Sequence, residues 1–293
     1  MNEKKNIRRY RCYHQNAGKY MKQILLIIIL TLPSFNTLAQ KTLVLARAPQ
    51  LSPELISKTW TPFVEYLSEN TGLPIKLKVY FTREEFESDL KKGKVDLYYG
   101  NPGYGVIGHV KHGYIPLIRS DRKLLEGIIV VRADSKIKSI AELEGKIISF
   151  PSKNAFAASL YIRSLLEDNN SLTFTPKYSG SHDNTYRSVL VGSSVAGGGV
   201  KRTLEREHDR LKKQLKIIYT TPGIKSHPLM ILPRINESDR QKIQSAILSL
   251  DNSEPGKAML KEIKLQNPVP ANYAKDYKPI EKLAKKMYPD LLK

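Results

Sequence analysis

Cysteine is all but missing from this chain: the single example is Cys12, so no intrachain disulfide and no cysteine-based metal site can form. Long apolar runs are missing too. The longest, over residues 24–32, ends before Pro33 and falls short of the roughly 20 residues that span a bilayer. Acidic residues are scarce, with 28 Asp and Glu against 48 Lys and Arg and a formal charge of +20. Such a field favours anionic partners: small anions, acidic membrane surfaces or nucleic acid. There is no tandem repeat, no low-complexity tract and no Gly/Ser linker, which argues against a string of independent modules.

Several chemistries are excluded in the same way. Ala196-Gly197-Gly198-Gly199 lacks the Gly-Lys-Ser/Thr ending of a phosphate-binding P-loop and reads as a tight turn. Gly103-Tyr104-Gly105-Val106-Ile107-Gly108 matches the spacing of a dinucleotide fingerprint, but it follows a third strand, not a first, and no cofactor is expected. Ser181-His182-Asp183 has no serine elbow or other nucleophile near it, so a hydrolase is not indicated. His109 and His112 share a helical face, but no further ligand lies close in sequence, and they read as surface residues.

What is present begins with an export signal. Lys19 and Lys22 precede Ile24 to Leu30, and Thr37-Leu38-Ala39 offers small residues for cleavage before Gln40, the layout of a secretory leader over residues 1–39. Met21 is a candidate true start, because Met21-Lys22-Gln23 followed by the apolar run is already complete. Without a cysteine at the cleavage point, a free periplasmic protein is expected. Removing residues 1–39 leaves a charge of about +14, and export argues against nucleic acid as a partner.

From Thr42 onward, short apolar runs alternate with amphipathic stretches, the grammar of α/β units on mostly parallel sheets. Leu43 to Ala46 reads as the first strand. Ile56, Trp60, Phe63, Val64 and Leu67 then mark one helical face, stopped by Gly72. The run Gly127-Ile128-Ile129-Val130-Val131 reads as a buried strand between lobes, and the pattern then repeats. Two lobes follow, residues 40–128 with 228–293 and residues 129–227, joined by two hinge crossings. The ligand is expected in the cleft between them.

Two segments are candidates for that cleft. Pro151-Ser152-Lys153-Asn154-Ala155 joins a strand to a helix, where backbone N–H groups without intrahelical partners receive oxyanions and Lys153 adds a full charge. Asn101-Pro102-Gly103-Tyr104 follows a strand in the first lobe, where ligands of α/β sheets bind. His182, at the start of another helix, can donate to an anion, with Asp183 capping the helix or orienting the ring.

Together, Trp60-Thr61-Pro62-Phe63-Val64-Glu65-Tyr66-Leu67 with Thr71-Gly72, Gly93-Lys94-Val95-Asp96-Leu97 leading to Gly100-Asn101-Pro102-Gly103-Tyr104, Gly127-Ile128-Ile129-Val130-Val131-Arg132 and Ser181-His182-Asp183 resemble the phosphate/phosphite/phosphonate-type substrate-binding proteins of ABC transporters, a branch of the type II periplasmic binding proteins. The resemblance implies a binder, not an enzyme, that feeds a membrane permease; the alternative is a sensor reporting to a membrane receptor or kinase. It also implies an anion held by Ser152, Lys153, Asn154 and Ala155, with help from Asn101, Tyr104 and His182. This chain departs from the family in two places. Lys153-Asn154-Ala155 stands where characterised phosphonate binders resemble Ser-Thr-Ser, and Val195 replaces an acid expected before Ala-Gly, which disfavours aminophosphonates.

Overall fold

The computed structural model describes residues 41–122, 124–169 and 171–293. The leader, its cleavage point, Met21 and Cys12 lie outside the described residues. No helix among the described residues is long and apolar enough to cross a membrane.

The first sheet is built from both ends of the chain. In chain order the elements are β1 (Leu43–Arg47), α1 (Pro53–Thr71), β2 (Ile75–Lys78), α2 (Arg83–Lys91), β3 (Leu97–Tyr99), α3 (Pro102–His112) and β4 (Ile115–Ser120). Ser52 caps α1 by accepting from the Leu55 amide, and Gly72 ends it at φ 70°, a left-handed conformation that suits glycine. The expected apolar face of α1 is buried in full, from Ile56 to Leu67.

The second sheet follows: β5 (Gly127–Arg132), β6 (Ile147–Phe150), α4 (Tyr161–Asn169), β7 (Thr175–Tyr178), α5 (His182–Leu190), β8 (Ala196–Val200), α6 (Lys201–Glu205), α7 (Asp209–Lys212) and β9 (Leu215–Thr220). The chain then returns through β10 (Pro228–Ile231), α8 (Glu237–Ser249), α9 (Glu254–Glu262), β11 (Pro268–Pro270), α10 (Tyr273–Asp276), α11 (Glu281–Met287) and α12 (Pro289–Leu292). Strand order is β11-β4-β10-β3-β1-β2 in one sheet and β7-β6-β8-β5-β9 in the other.

Both sheets are mixed. The β1/β2, β1/β3, β6/β7 and β6/β8 pairs are parallel, whereas the strands next to the crossings, β4, β5, β9 and β10, pair antiparallel. A strand that enters a sheet directly from the other lobe runs against its neighbours, because no helix turns it round first. The two crossings touch at an antiparallel bridge between Leu125 and Ile224.

The Ala196-Gly197-Gly198-Gly199 segment is not the turn its composition suggests; it is β8, paired to β5 on one side and β6 on the other. The reason is packing. A methyl at Gly198 would sit 2.6 Å from the Ala158 carbonyl oxygen and against the Phe150 ring, and one at Gly197 would sit 2.9 Å from Val189. Helix backbone therefore lies directly on this strand, as only glycine allows. Helices α6 and α7 follow β8 as two short turns, the second capped by His208. His109 and His112 are half-buried rather than surface groups: His109 Nδ1 lies 2.8 Å from the Tyr114 carbonyl and stacks on Tyr273, and His112 Nε2 lies 2.8 Å from the Lys91 carbonyl.

Candidate functional site

The carboxyl ends of the parallel strands of both sheets converge on one region. Phe156, which follows β6, packs beside Gly103, which follows β3. Arg202, which follows β8, lies within electrostatic reach of Tyr99 at the end of β3. This is the edge where α/β folds bind ligands.

On the second-lobe side, Ser152, Lys153 and Asn154 are exposed and Ala155 is half-buried. Among the described residues the amides of Ser152, Lys153 and Asn154 donate to no protein acceptor. The turn is held from behind, since the Lys153 carbonyl accepts from Arg163 Nη2 at 3.0 Å. It leads into a π-helical turn over Phe156–Leu160, a feature that recurs at functional sites. Lys153 and Asn154 line a cavity of about 430 Å³, whose wall carries Arg163 but also Glu87, Glu167 and Asp290.

His182 opens α5, and its half-buried Nδ1 has no partner. Burial lowers its pKa, so the ring stays neutral and keeps one nitrogen to donate and one to accept. Ser181 caps this helix by accepting from the Asn184 amide at 3.1 Å. Asp183 pairs with Arg187 at 2.9 Å, so it does not orient the imidazole.

Asn101 and Tyr104 face inward. The Asn101 side chain accepts from the Tyr104 amide at 3.0 Å and donates to the Tyr288 hydroxyl at 3.2 Å. Tyr104 is fully buried; its hydroxyl donates to Glu87 at 2.5 Å and accepts from Arg83 at 3.0 Å. Burial raises its pKa far beyond the usual phenol range. Tyr288 and Phe156 fill the space beside Gly103. In this conformation both residues therefore tie α3 to α2 and to the C-terminal helices, and neither lines the cavity beside Lys153 and Asn154.

A second group of residues stands at the same edge and was not singled out in the sequence. Arg47, the last residue of β1, is 5% exposed. Its Nη1 donates to the Ala48 carbonyl at 2.6 Å and its Nη2 to Gln50 at 3.0 Å. Its guanidinium lies 5.2 Å from the Tyr99 ring centre and 6.0 Å from that of Trp60. His227, on the return crossing, sits 3.5 Å from the Gln50 amide and against Tyr99. The sequence carries one signal for Arg47, a charge that ends an apolar strand, but strand-end charges are usually solvated and the signal is weak.

Burial first, then Arg47 and Arg202, push the His227 pKa from 6.5 down to about 3. The folded protein holds this ring neutral while the unfolded chain protonates it. Stability from this group is therefore complete above pH 6.5 and falls as pH drops from there towards 3, by at most about 1.4 kcal/mol per pH unit. Urea titrations between pH 7 and pH 4.5 are expected to show a steeper loss for the wild type than for His227→Gln. Parallel curves would refute the assignment.

The comparisons agree with this architecture. The family model for the periplasmic substrate-binding protein of phosphonate ABC transporters matches residues 45–277. Among solved structures, PhnD1 of Prochlorococcus marinus in complex with methylphosphonate is similar at 21% identity and a TM-score of 0.67, over 85% of this chain and 98% of that one. XAC2383 of Xanthomonas citri bound to ATP is similar at 16% identity and 0.72, over 86% and 99%. A binding-protein component of a phosphonate ABC transporter from Pseudomonas aeruginosa is similar at 15% and 0.64, over 86% and 89%. At these identities the likeness to solved structures shows the fold. No curated protein matches the chain.

Proposed function

The chain belongs to the periplasmic substrate-binding proteins of phosphonate ABC transporters, and from that premise we propose that its lobes capture a small phosphorus oxyanion at the Ser152–Ala155 turn and deliver it to a membrane permease. The family is one of binding proteins, not enzymes. Residues 1–39 direct export to the periplasm on this reading.

One observation carries the ligand assignment: three consecutive exposed residues, Ser152 to Asn154, whose amides meet no protein acceptor ahead of a helix. Such a turn offers N–H groups to an anion without rearrangement, and the helix dipole adds to their attraction. Lys153 supplies charge and His182 a neutral donor. Asn101 and Tyr104 join only if the C-terminal contacts through Tyr288 and Glu87 rearrange on binding.

Calorimetry with phosphate, phosphite, methylphosphonate and sulfate is the direct test. Binding of at least one phosphorus oxyanion with a Kd on the order of micromolar or tighter is expected. Lys153→Glu is expected to weaken it at least tenfold by placing a negative charge beside the anion. Silence towards every anion would remove the ligand assignment.

A further inference from the structure

We propose that Arg47 and Arg202, with the neutral His227 beside them, form a cationic clamp in the cleft for a ligand that carries at least two negative charges and no ammonium group. The inference rests on the reading of the cleft as an oxyanion site and specifies which oxyanions it takes.

The chain treats its two buried arginines differently. Arg119, 8% exposed, meets Asp121 at 2.8 Å and Asp276 at 3.2 Å. Arg47 is more deeply buried and forms no ion pair among the described residues; its partners are one carbonyl, one amide and two aromatic faces. A guanidinium withdrawn from water without a counter-ion is costly. Fixed at the carboxyl end of β1, it is a receptor for an anion from outside the protein, and its fork matches two oxygens of a phosphoryl or carboxylate group.

The second lobe answers with more cations. Arg202 has no ion-pair or hydrogen-bond partner among the described residues. The charges that act on it most strongly, Arg206 and Arg122, are both positive, and Glu205 opposes them more weakly. Glu126, nearby in sequence to the crossing, is taken by Lys201 at 3.2 Å. An ammonium group would thus meet Arg47, Arg202, Arg122 and Arg206 with little acid to receive it. Both arginines act electrostatically on Tyr99 and on His227, so an anion that meets both would join charges carried by the two sheets. His227, held neutral between these arginines, serves as a hydrogen-bond partner through its link to Gln50.

The competing account is that Arg47 is a prop, stabilised by Trp60 and Tyr99 alone. Arg202 separates the two accounts, because it is exposed and unpaired, so Arg202→Gln removes charge without removing packing. Calorimetry on the full protein should compare phosphate, phosphonoacetate and 2-aminoethylphosphonate. The clamp predicts that a dianion lacking an amine binds at least tenfold tighter than 2-aminoethylphosphonate. It also predicts that Arg202→Gln weakens that dianion at least tenfold while leaving the ligand-free thermal midpoint in place, and that Arg47→Gln, where it folds, does the same to binding. Oxyanion binding that is indifferent to Arg202→Gln, or an aminophosphonate bound as tightly as the dianions, overturns the clamp alone. Failure of every anion to bind overturns the oxyanion reading and the clamp with it.

Discussion

Gly198→Ala is expected to destabilise the second lobe by about 3 kcal/mol, at the upper end of what a single added methyl costs in a packed interior. The added carbon would stand 2.6 Å from the Ala158 carbonyl oxygen and against the Phe150 ring. The ring can turn, but the carbonyl belongs to the π-helical turn that leads into α4 and cannot move without it. Gly145 provides the control in the same lobe: it has φ 68° and open space around a methyl, so Gly145→Ala carries only the conformational cost of about 1 kcal/mol. Chemical denaturation of the two variants checks the contrast. Equal losses would mean that β8 tolerates a side chain and that its glycines are not required by packing.

Removing the Asp276 carboxylate is expected to have an effect of similar size for an electrostatic reason. Arg119 and Asp276 are both buried and meet at 3.2 Å, and Asp276 also accepts from the Asn272 amide at 2.8 Å. Asp276→Ala leaves the guanidinium with the exposed Asp121 alone, and an abandoned buried charge typically costs about 3–5 kcal/mol. The double variant Arg119→Met with Asp276→Ala should recover part of that loss, since the stranded charge is gone. A double variant as unstable as the sum of the two singles would exclude coupling between them. The pair fastens α10 to the end of β4, where the chain leaves for the second lobe. The next residue, Tyr277, donates to the Ser226 carbonyl at 2.9 Å on the returning crossing, so the C-terminal segment anchors both crossings at their first-lobe ends.

How far residues could be read before any coordinates depended on how local their constraints are. Trp60, Phe63 and Leu67 announce a helix face by spacing alone, and all three are buried. Ser52, Gly72 and Thr82 are caps whose partners lie within a few residues. The three glycines of β8 could not be read this way, because glycine marks a turn and a crowded strand equally well; Phe150, Ala158, Thr185 and Val189 decide between them. Asn101 and Tyr104 form the expected strand-to-helix junction, with Asn101 as its cap. Which way the Tyr104 hydroxyl points is settled by Glu87 and Arg83 on α2.

The two-lobed α/β architecture, the family likeness and the strand-to-helix turn at Ser152–Ala155, proposed above to receive the anion, were determined by the sequence by itself, because periodicity, capping and helix starts act over a few bonds of chain. The burial of Arg47 was decided only by the tertiary structure. Whether a charge at a strand end is solvated or enclosed depends on what is packed over it, and here Trp60, Tyr99 and His227 come from three distant segments. Burial strips water from the guanidinium and leaves its charge uncompensated, which turns an ordinary strand end into a place where an anion is wanted.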